Sequence, residues 1–298
     1  MADAGRAARQ WLQTDQAFGV EEVPVRKAGR PVPRPPASLA VPQRPQAAAP
    51  AQAPARAPFV PSKPAPAPAR PAPPLAAKSP AKAVLPPAPA GLISALPALT
   101  RDEKMAALDA LRRQIEAQSA PLLSDVCTRV VFGEGDPDAA IMFVGEGPGA
   151  EEDKTGRPFV GRSGQLLDKM ITAICYKREQ VFIANVVKLR CAEWTEGPGQ
   201  GRLQDRPPNP EEVARGIPYL HRQIEIIRPK VVVTLGAPAV KHLTGTTEGV
   251  MKLRGKWLEY RGIPVMPTYH PSFVLRAYTE ENRRNVWSDL KEAARKAT

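Results

Sequence analysis

The sequence predicts a three-layer α/β/α domain built on a mostly parallel central sheet and preceded by a disordered arm rich in Pro and Ala. Three observations carry that prediction. From residue 100 onward, short apolar runs alternate with segments of helical periodicity; the apolar runs end in glycines or polar loops; and 21 of the 36 prolines lie between residues 31 and 100.

Residues 1–22 read as a short amphipathic helix, with Ala7, Trp11, Leu12 and Phe18 roughly on one face. Such a helix can dock on a protein partner or pack on the chain's own domain. Residues 23–99 are a Pro/Ala-rich linker with almost no aromatic or branched apolar side chains. That composition buries too little surface to offset the entropy of ordering, so an extended, disordered tether with polyproline character is expected. Residues 1–100 hold 12 Lys/Arg against 4 Asp/Glu, so +8 of the formal charge of +12 belongs to this region. A basic tether adds salt-sensitive, non-specific attraction to a polyanion, or simply solubility.

The N-terminus lacks the apolar core of a signal peptide, and no apolar run is long enough to span a bilayer. Cys127, Cys175 and Cys191 have no C-x-x-C spacing. A cytoplasmic setting without membrane contact is expected.

The folded domain is expected over 100–298. Thr100 is placed to cap the helix RDEKMAALDALRRQIEA, in which Leu108, Leu111 and Ile115 recur at helical spacing. AAIMFVGEGPG follows as a buried parallel strand that delivers a loop at its carboxyl end. Next come the helix GQLLDKMITAI, the strand QVFIANVVK, a Pro-rich loop, the helix NPEEVARGIPYLHRQIEII and the strand PKVVVTLG, with Ala237 to Leu243 as a further helix. IPVMPTYHPS supplies a last strand and loop, and NRRNVWSDLKEAARKA closes the chain as a helix. In such sheets the working loops gather beyond the carboxyl ends of the strands. Three loops belong there: GEGPG, the segment after Asn185, and His270-Pro271-Ser272. Neither G-x-G-x-x-G nor G-x-x-x-x-G-K-[ST] occurs at 145–151, which removes the dinucleotide and phosphate-loop readings.

GEGPG, GRPFVGRSGQLLD, NVVK, TLGAPA and PTYHPS, in that order over about residues 128–296, resemble the type 4, iron-sulfur branch of the uracil-DNA glycosylase superfamily. The resemblance implies a DNA-repair hydrolase that flips uracil out of DNA and cuts its N-glycosidic bond, leaving an abasic site. It implies that Phe159 stacks on the everted ring, that Asn185 hydrogen-bonds the uracil edge and that His270 donates to uracil O2 as negative charge collects there. Gly145, Gly147, Pro148 and Gly149 would line the base pocket. Glu146 stands where the best-known branch of the superfamily has the Gln of GQDPY, and the water-positioning Asp of that branch corresponds to Gly147. Glu146 or Asn185 is therefore expected to orient water. The tyrosine that excludes the thymine methyl corresponds to Gly149, and by resemblance Glu152 takes over that steric gate.

By the same resemblance residues 272–276 form the loop that wedges into the duplex, with Phe273, Val274 or Leu275 as the apolar wedge. Arg162, Ser163, Lys188, Arg254, Lys256, Ser272 and Arg276 flank these motifs and are candidate DNA contacts. The family's four cluster cysteines correspond to Ala117, Ala120, Leu189 and Gly216, so no [4Fe-4S] cluster and no metal is expected. VMKLRGKWLEY lacks the histidine of a covalent-trapping relative, so ordinary turnover as a monomer on uracil-containing DNA is expected. The alternatives are a glycosylase for another deaminated base, and a non-catalytic DNA-binding or scaffold protein with the same fold.

Overall fold

The computed structural model describes residues 98–298; the helix expected over 1–22 and nearly all of the linker lie outside the described residues. Along the chain, α1 (Arg101–Ser119) is followed by β1 (Glu134–Gly135), β2 (Ile141–Gly145), α2 (Ala150–Thr155), α3 (Arg162–Ala173) and β3 (Phe182–Asn185). Then come β4 (Ala192–Trp194), β5 (Leu203–Asp205), α4 (Pro210–Ile227), β6 (Val231–Leu235), α5 (Ala237–Thr244) and α6 (Val250–Leu253). The chain ends with β7 (Leu258–Tyr260), β8 (Ile263–Thr268), α7 (Pro271–Arg276) and α8 (Glu280–Ala297).

Six strands form one sheet in the order β1-β3-β2-β6-β8-β7. The four central strands are parallel, and the short edge strands β1 and β7 are antiparallel to their neighbours. β2 and β6 are buried along their whole length, which is why they appear in the sequence as unbroken apolar runs. Alternate residues feed two cores. Met142, Val144, Phe182 and Val232 pack with Leu111 and Ile115 of α1 and Leu220 and Ile224 of α4; Ile141, Phe143, Ile183 and Val233 pack with Leu167 and Met170 of α3 and Val286 and Leu290 of α8. Helices on both faces complete the three layers that were expected. Thr100 caps α1 as anticipated: its Oγ1 accepts from Glu103 N at 3.3 Å while Glu103 Oε2 accepts from Thr100 N at 2.7 Å.

Three local expectations need correction. The strand expected over 180–188 ends at Asn185, level with the end of its partner β2 at Gly145, although Val186 N and Val187 N still donate to Gly145 O and Glu146 O. The segment expected as a Pro-rich loop holds the hairpin β4–β5, a separate two-stranded sheet. Residues 271–276, expected as a loop, form the helix α7.

The hairpin is fastened to α4 by charge. Arg206 donates from both terminal nitrogens to Glu212, at 2.7 and 2.8 Å, and Glu212 Oε2 also accepts from Asn209 N at 2.7 Å at the start of the helix. The Arg206 guanidinium, with help from the Asn209 N–H, holds the Glu212 carboxyl down at about 2. Because the folded-state value lies below the ordinary 4.5, the stabilisation is present above that pH and is lost as pH falls toward 2. Glu212→Gln is expected to cost about 1–3 kcal/mol in urea unfolding at pH 7, with the difference from the parent protein shrinking as pH falls through that window.

Candidate active site

β2 and β3 run side by side with Gly145 opposite Asn185, so both carboxyl ends open at one place. A Cβ at Gly145 would lie 2.4 Å from Asn185 Oδ1 and 2.5 Å from Phe159 Cζ, a convergence that glycine alone permits. The Phe159 ring lies 5.7 Å, centroid to centroid, from the imidazole of His270, which follows β8. Phe159, Asn185, His270 and Glu146 thus line one cleft of about 530 Å³ at the switch point of the parallel sheet.

Phe159 occupies a left-handed backbone conformation, with φ of +49°, which costs a non-glycine residue on the order of 1–3 kcal/mol. Three restraints hold it there. Glu152 accepts from Val160 N at 2.8 Å, Gly161 N at 2.9 Å and Gly149 N at 3.1 Å, tying the loop after Phe159 to the GEGPG loop. Arg178 donates to Pro158 O while its guanidinium is itself pinned by Glu134 at 2.7 Å and Asp168 at 2.6 Å. Gly164 completes the cradle, since a Cβ there would lie 1.9 Å from Phe159 O. Glu152, expected as a steric gate, lines the cleft, but its carboxylate is committed to these three N–H groups.

Asn185 is 1% exposed, and its Oδ1 has no hydrogen-bond partner. A buried, unpartnered acceptor is costly unless a ligand supplies the donor. Lys188, expected at a DNA phosphate, is instead buried beneath Asn185, with Nζ donating to Asn185 O at 2.7 Å and to Gln223 Oε1 at 2.6 Å. Gln223 donates onward to Phe132 O at 2.8 Å. Burial lowers the Lys188 amine to about 7, so near neutrality it is a hydrogen-bonded strut rather than a surface charge.

His270 caps α7. Its Nδ1 lies 3.1 Å from Ser272 N, which can only donate, so Nδ1 is the acceptor and the Ser272 hydroxyl at 2.8 Å also donates to it. The ring proton of the neutral form therefore sits on Nε2. Burial, reinforced by Arg276, pushes the imidazole down to about 4, with Glu152 pulling weakly the other way. The Glu146 carboxyl has no hydrogen-bond or ion-pair partner among the described residues, and burial raises its pKa above the usual range.

Gly147 packs under Val187, Pro148 is buried, and Gly149 faces Glu152 and Asp205. Arg162 and Ser163 open α3 at the cleft rim, with Arg162 exposed, and Lys256 and Arg276 are exposed as well. Ser272, expected at DNA, spends its hydroxyl on His270. Arg254, also expected at DNA, is turned inward onto Asp289 at 2.7 and 3.2 Å and onto Asn285 O at 3.0 Å. Val274, one of the expected wedges, is 1% exposed and cannot enter a duplex; Phe273 and Leu275 are half-buried against the core. Sequence reading missed the wall that Asp205 to Pro208 adds after the hairpin. Two short apolar-bearing segments flanking the Gly-rich GPGQG turn were the available signal.

The four positions that the resemblance assigns to cluster ligands, Ala117, Ala120, Leu189 and Gly216, carry no metal-ligating side chain and do not fit an iron-sulfur group. Ala117 and Ala120 are exposed at the end of α1, and a Cβ at buried Gly216 would already press within 2.6 Å of Val186 O. The nearby thiols are buried and held in their neutral form, Cys127 with its pKa raised and Cys191 pushed up to about 12.

The profile of the uracil DNA glycosylase superfamily matches residues 132–291. The type-4 uracil-DNA glycosylase of Thermotoga maritima is 46% identical over 168 residues, which cover 56% of this chain and 82% of that protein. The type-4 enzyme of Sulfurisphaera tokodaii is 40% identical over 197 residues, 63% of this chain and 84% of that one. That of Archaeoglobus fulgidus is 36% identical over 196 residues, 63% and 92%.

The Lys188 strut has a pH signature. An amine near 7 in the folded chain and at the ordinary 10.5 when unfolded binds more protons unfolded, so it makes stability rise with pH between those values. In urea unfolding at pH 7 and pH 9.5, Lys188→Met is expected to be less stable than the parent and to have lost this upward slope.

Proposed function

The chain belongs to the uracil-DNA glycosylase superfamily, and we propose that the cleft holding Phe159, Asn185 and His270 is where it receives an everted uracil. It is a uracil-DNA glycosylase of the type 4 kind, a DNA-repair hydrolase that cuts the N-glycosidic bond of uracil in DNA. The observation that carries the site assignment is the unpartnered Oδ1 of Asn185, buried beside an aromatic ring and a neutral imidazole. Uracil N3–H is a donor suited to that oxygen, and an amide also offers a donor to O4; cytosine presents the opposite pattern on the same edge.

The chemistry follows from these groups. As the bond between C1′ and N1 breaks, both electrons leave with uracil and negative charge gathers on O2, where His270 Nε2–H can donate without carrying charge itself. The sugar becomes oxocarbenium-like and takes a water; Glu146, unpaired in the cleft, orients that water and accepts its proton. Phe159 holds the ring by its π-face, and the strained loop that carries it keeps that face fixed. Gly147 leaves no carboxylate at the third position of GEGPG, so Glu146 carries this role alone.

Arg162, Ser163, Lys256 and Arg276 are the DNA contacts the surface offers, and the positions that would hold a cluster are read as non-ligating, so the enzyme turns over without iron. No helix among the described residues is long and apolar enough to cross a membrane. The setting is cytosolic DNA, where the chain works as a monomer and its N-terminal segment recruits a protein.

The direct test is alkaline strand cleavage of a uracil-containing oligonucleotide by iron-free protein. Cleavage at uracil is expected, and its absence from both single and double strands would falsify the enzymatic reading; a panel of hypoxanthine and xanthine sites checks the lesion range. His270→Ala is expected to lower kcat about 10²–10³-fold. Asn185→Asp is expected to reduce uracil excision by about 100-fold or more while gaining activity on cytosine. The acid limb of kcat should fall through a pH above the usual carboxylate value and vanish in Glu146→Gln, leaving a low, flat profile.

A further inference from the structure

Beside the base cleft lies a second groove of about 390 Å³ that shares Glu146 and His270 with it and is walled by Met251, Phe273 and Arg276. Met251 is 75% exposed, the most exposed of the large apolar side chains among the described residues. Its helix is not loose. Val250 packs on the core that holds Val286 and Leu290, Leu253 is 5% exposed, and Arg254 N donates to Val250 O at 2.8 Å while its guanidinium is clamped on Asp289. α6 is therefore a rigid one-turn post, fastened on either side of Met251, that holds one unbranched thioether side chain out into solvent at the mouth of the site.

We infer that Met251 is the wedge that enters the DNA stack at the step vacated by the everted base. This rests on the cleft being a uracil pocket. A flipped nucleotide leaves a gap whose unstacked faces must be covered by an apolar group from the same side as the pocket. Phe273 is half-buried, with its ring 4.9 Å from Tyr269, and Leu275 packs on the core, so each would have to leave its packing to reach a duplex. Met251 has nothing to give up. The charge around it suits a polyanion: Lys252, Lys256 and Arg276 are exposed without an ion-pair partner among the described residues, against exposed Glu248 and Glu259. The N-terminal hundred residues carry +8 and are a poor match for this basic rim.

A wedge acts on duplex and is idle on single strands. The test is kcat/KM for uracil excision from matched single- and double-stranded oligonucleotides, for the full chain, Met251→Ala, Met251→Leu and the control Met105→Ala on the exposed face of α1. The ratio of duplex to single-strand activity is expected to fall about tenfold in Met251→Ala, to recover in Met251→Leu and to hold in Met105→Ala. Equal loss on both substrates, or no loss, overturns the assignment, as does a Met251→Ala effect that needs the first hundred residues. If the parent excises nothing from either substrate, the uracil reading fails separately. In that case 2-aminopurine beside the uracil of a duplex still decides: its fluorescence should rise with the parent, and an equal rise with Met251→Ala rejects the wedge.

Discussion

The whole cleft depends on one carboxylate accepting three backbone N–H groups. Glu152 gathers Gly149, Val160 and Gly161 into a single knot, joining the loop that leaves β2 to the loop that presents Phe159. Charge-assisted bonds of this kind are about twice as strong as neutral ones. That strength is required, because the aromatic it positions sits in a backbone conformation that an isolated phenylalanine avoids. Gly145 and Gly164 contribute by what they lack, since side chains there would occupy the space taken by the Phe159 ring and the Phe159 carbonyl.

The two groups that meet the base edge, His270 and Asn185, are held in place and uncharged before the reaction begins. The tautomer of His270 is set by a peptide N–H that can only donate, and its low pKa by burial among neighbours that include a cation. Asn185 is held from behind by Lys188 through its carbonyl, leaving its amide to face the ligand. Preorganised dipoles of this sort need little reorganisation as charge develops. Along another wall of the cleft, the Arg206–Glu212 and Arg190–Asp205 pairs secure the hairpin.

The architecture was legible because its central strands are buried on both faces and so stand out as apolar runs closed by Gly or Asn. The pocket residues were legible for a related reason: they sit where such runs stop. The cations were not. Lys188 and Arg254 look like any basic residue beside a motif, and their fate is decided by Gln223 and Asp289, each 35 residues away along the chain. The hairpin was hidden by its strands of three residues, too short to show alternation against a background of Pro and Gly. Met251 escaped notice because a lone methionine in a helix usually faces inward, and only its solvent exposure separates it from Leu253 two residues on.

The inward turn of Lys188 and Arg254 alters the physics of landing on DNA. With those two side chains spent inside the protein, neither displaces counterions from a phosphate backbone on contact. Two cations that stand beside the site motifs therefore add nothing to the salt-dependent part of DNA affinity.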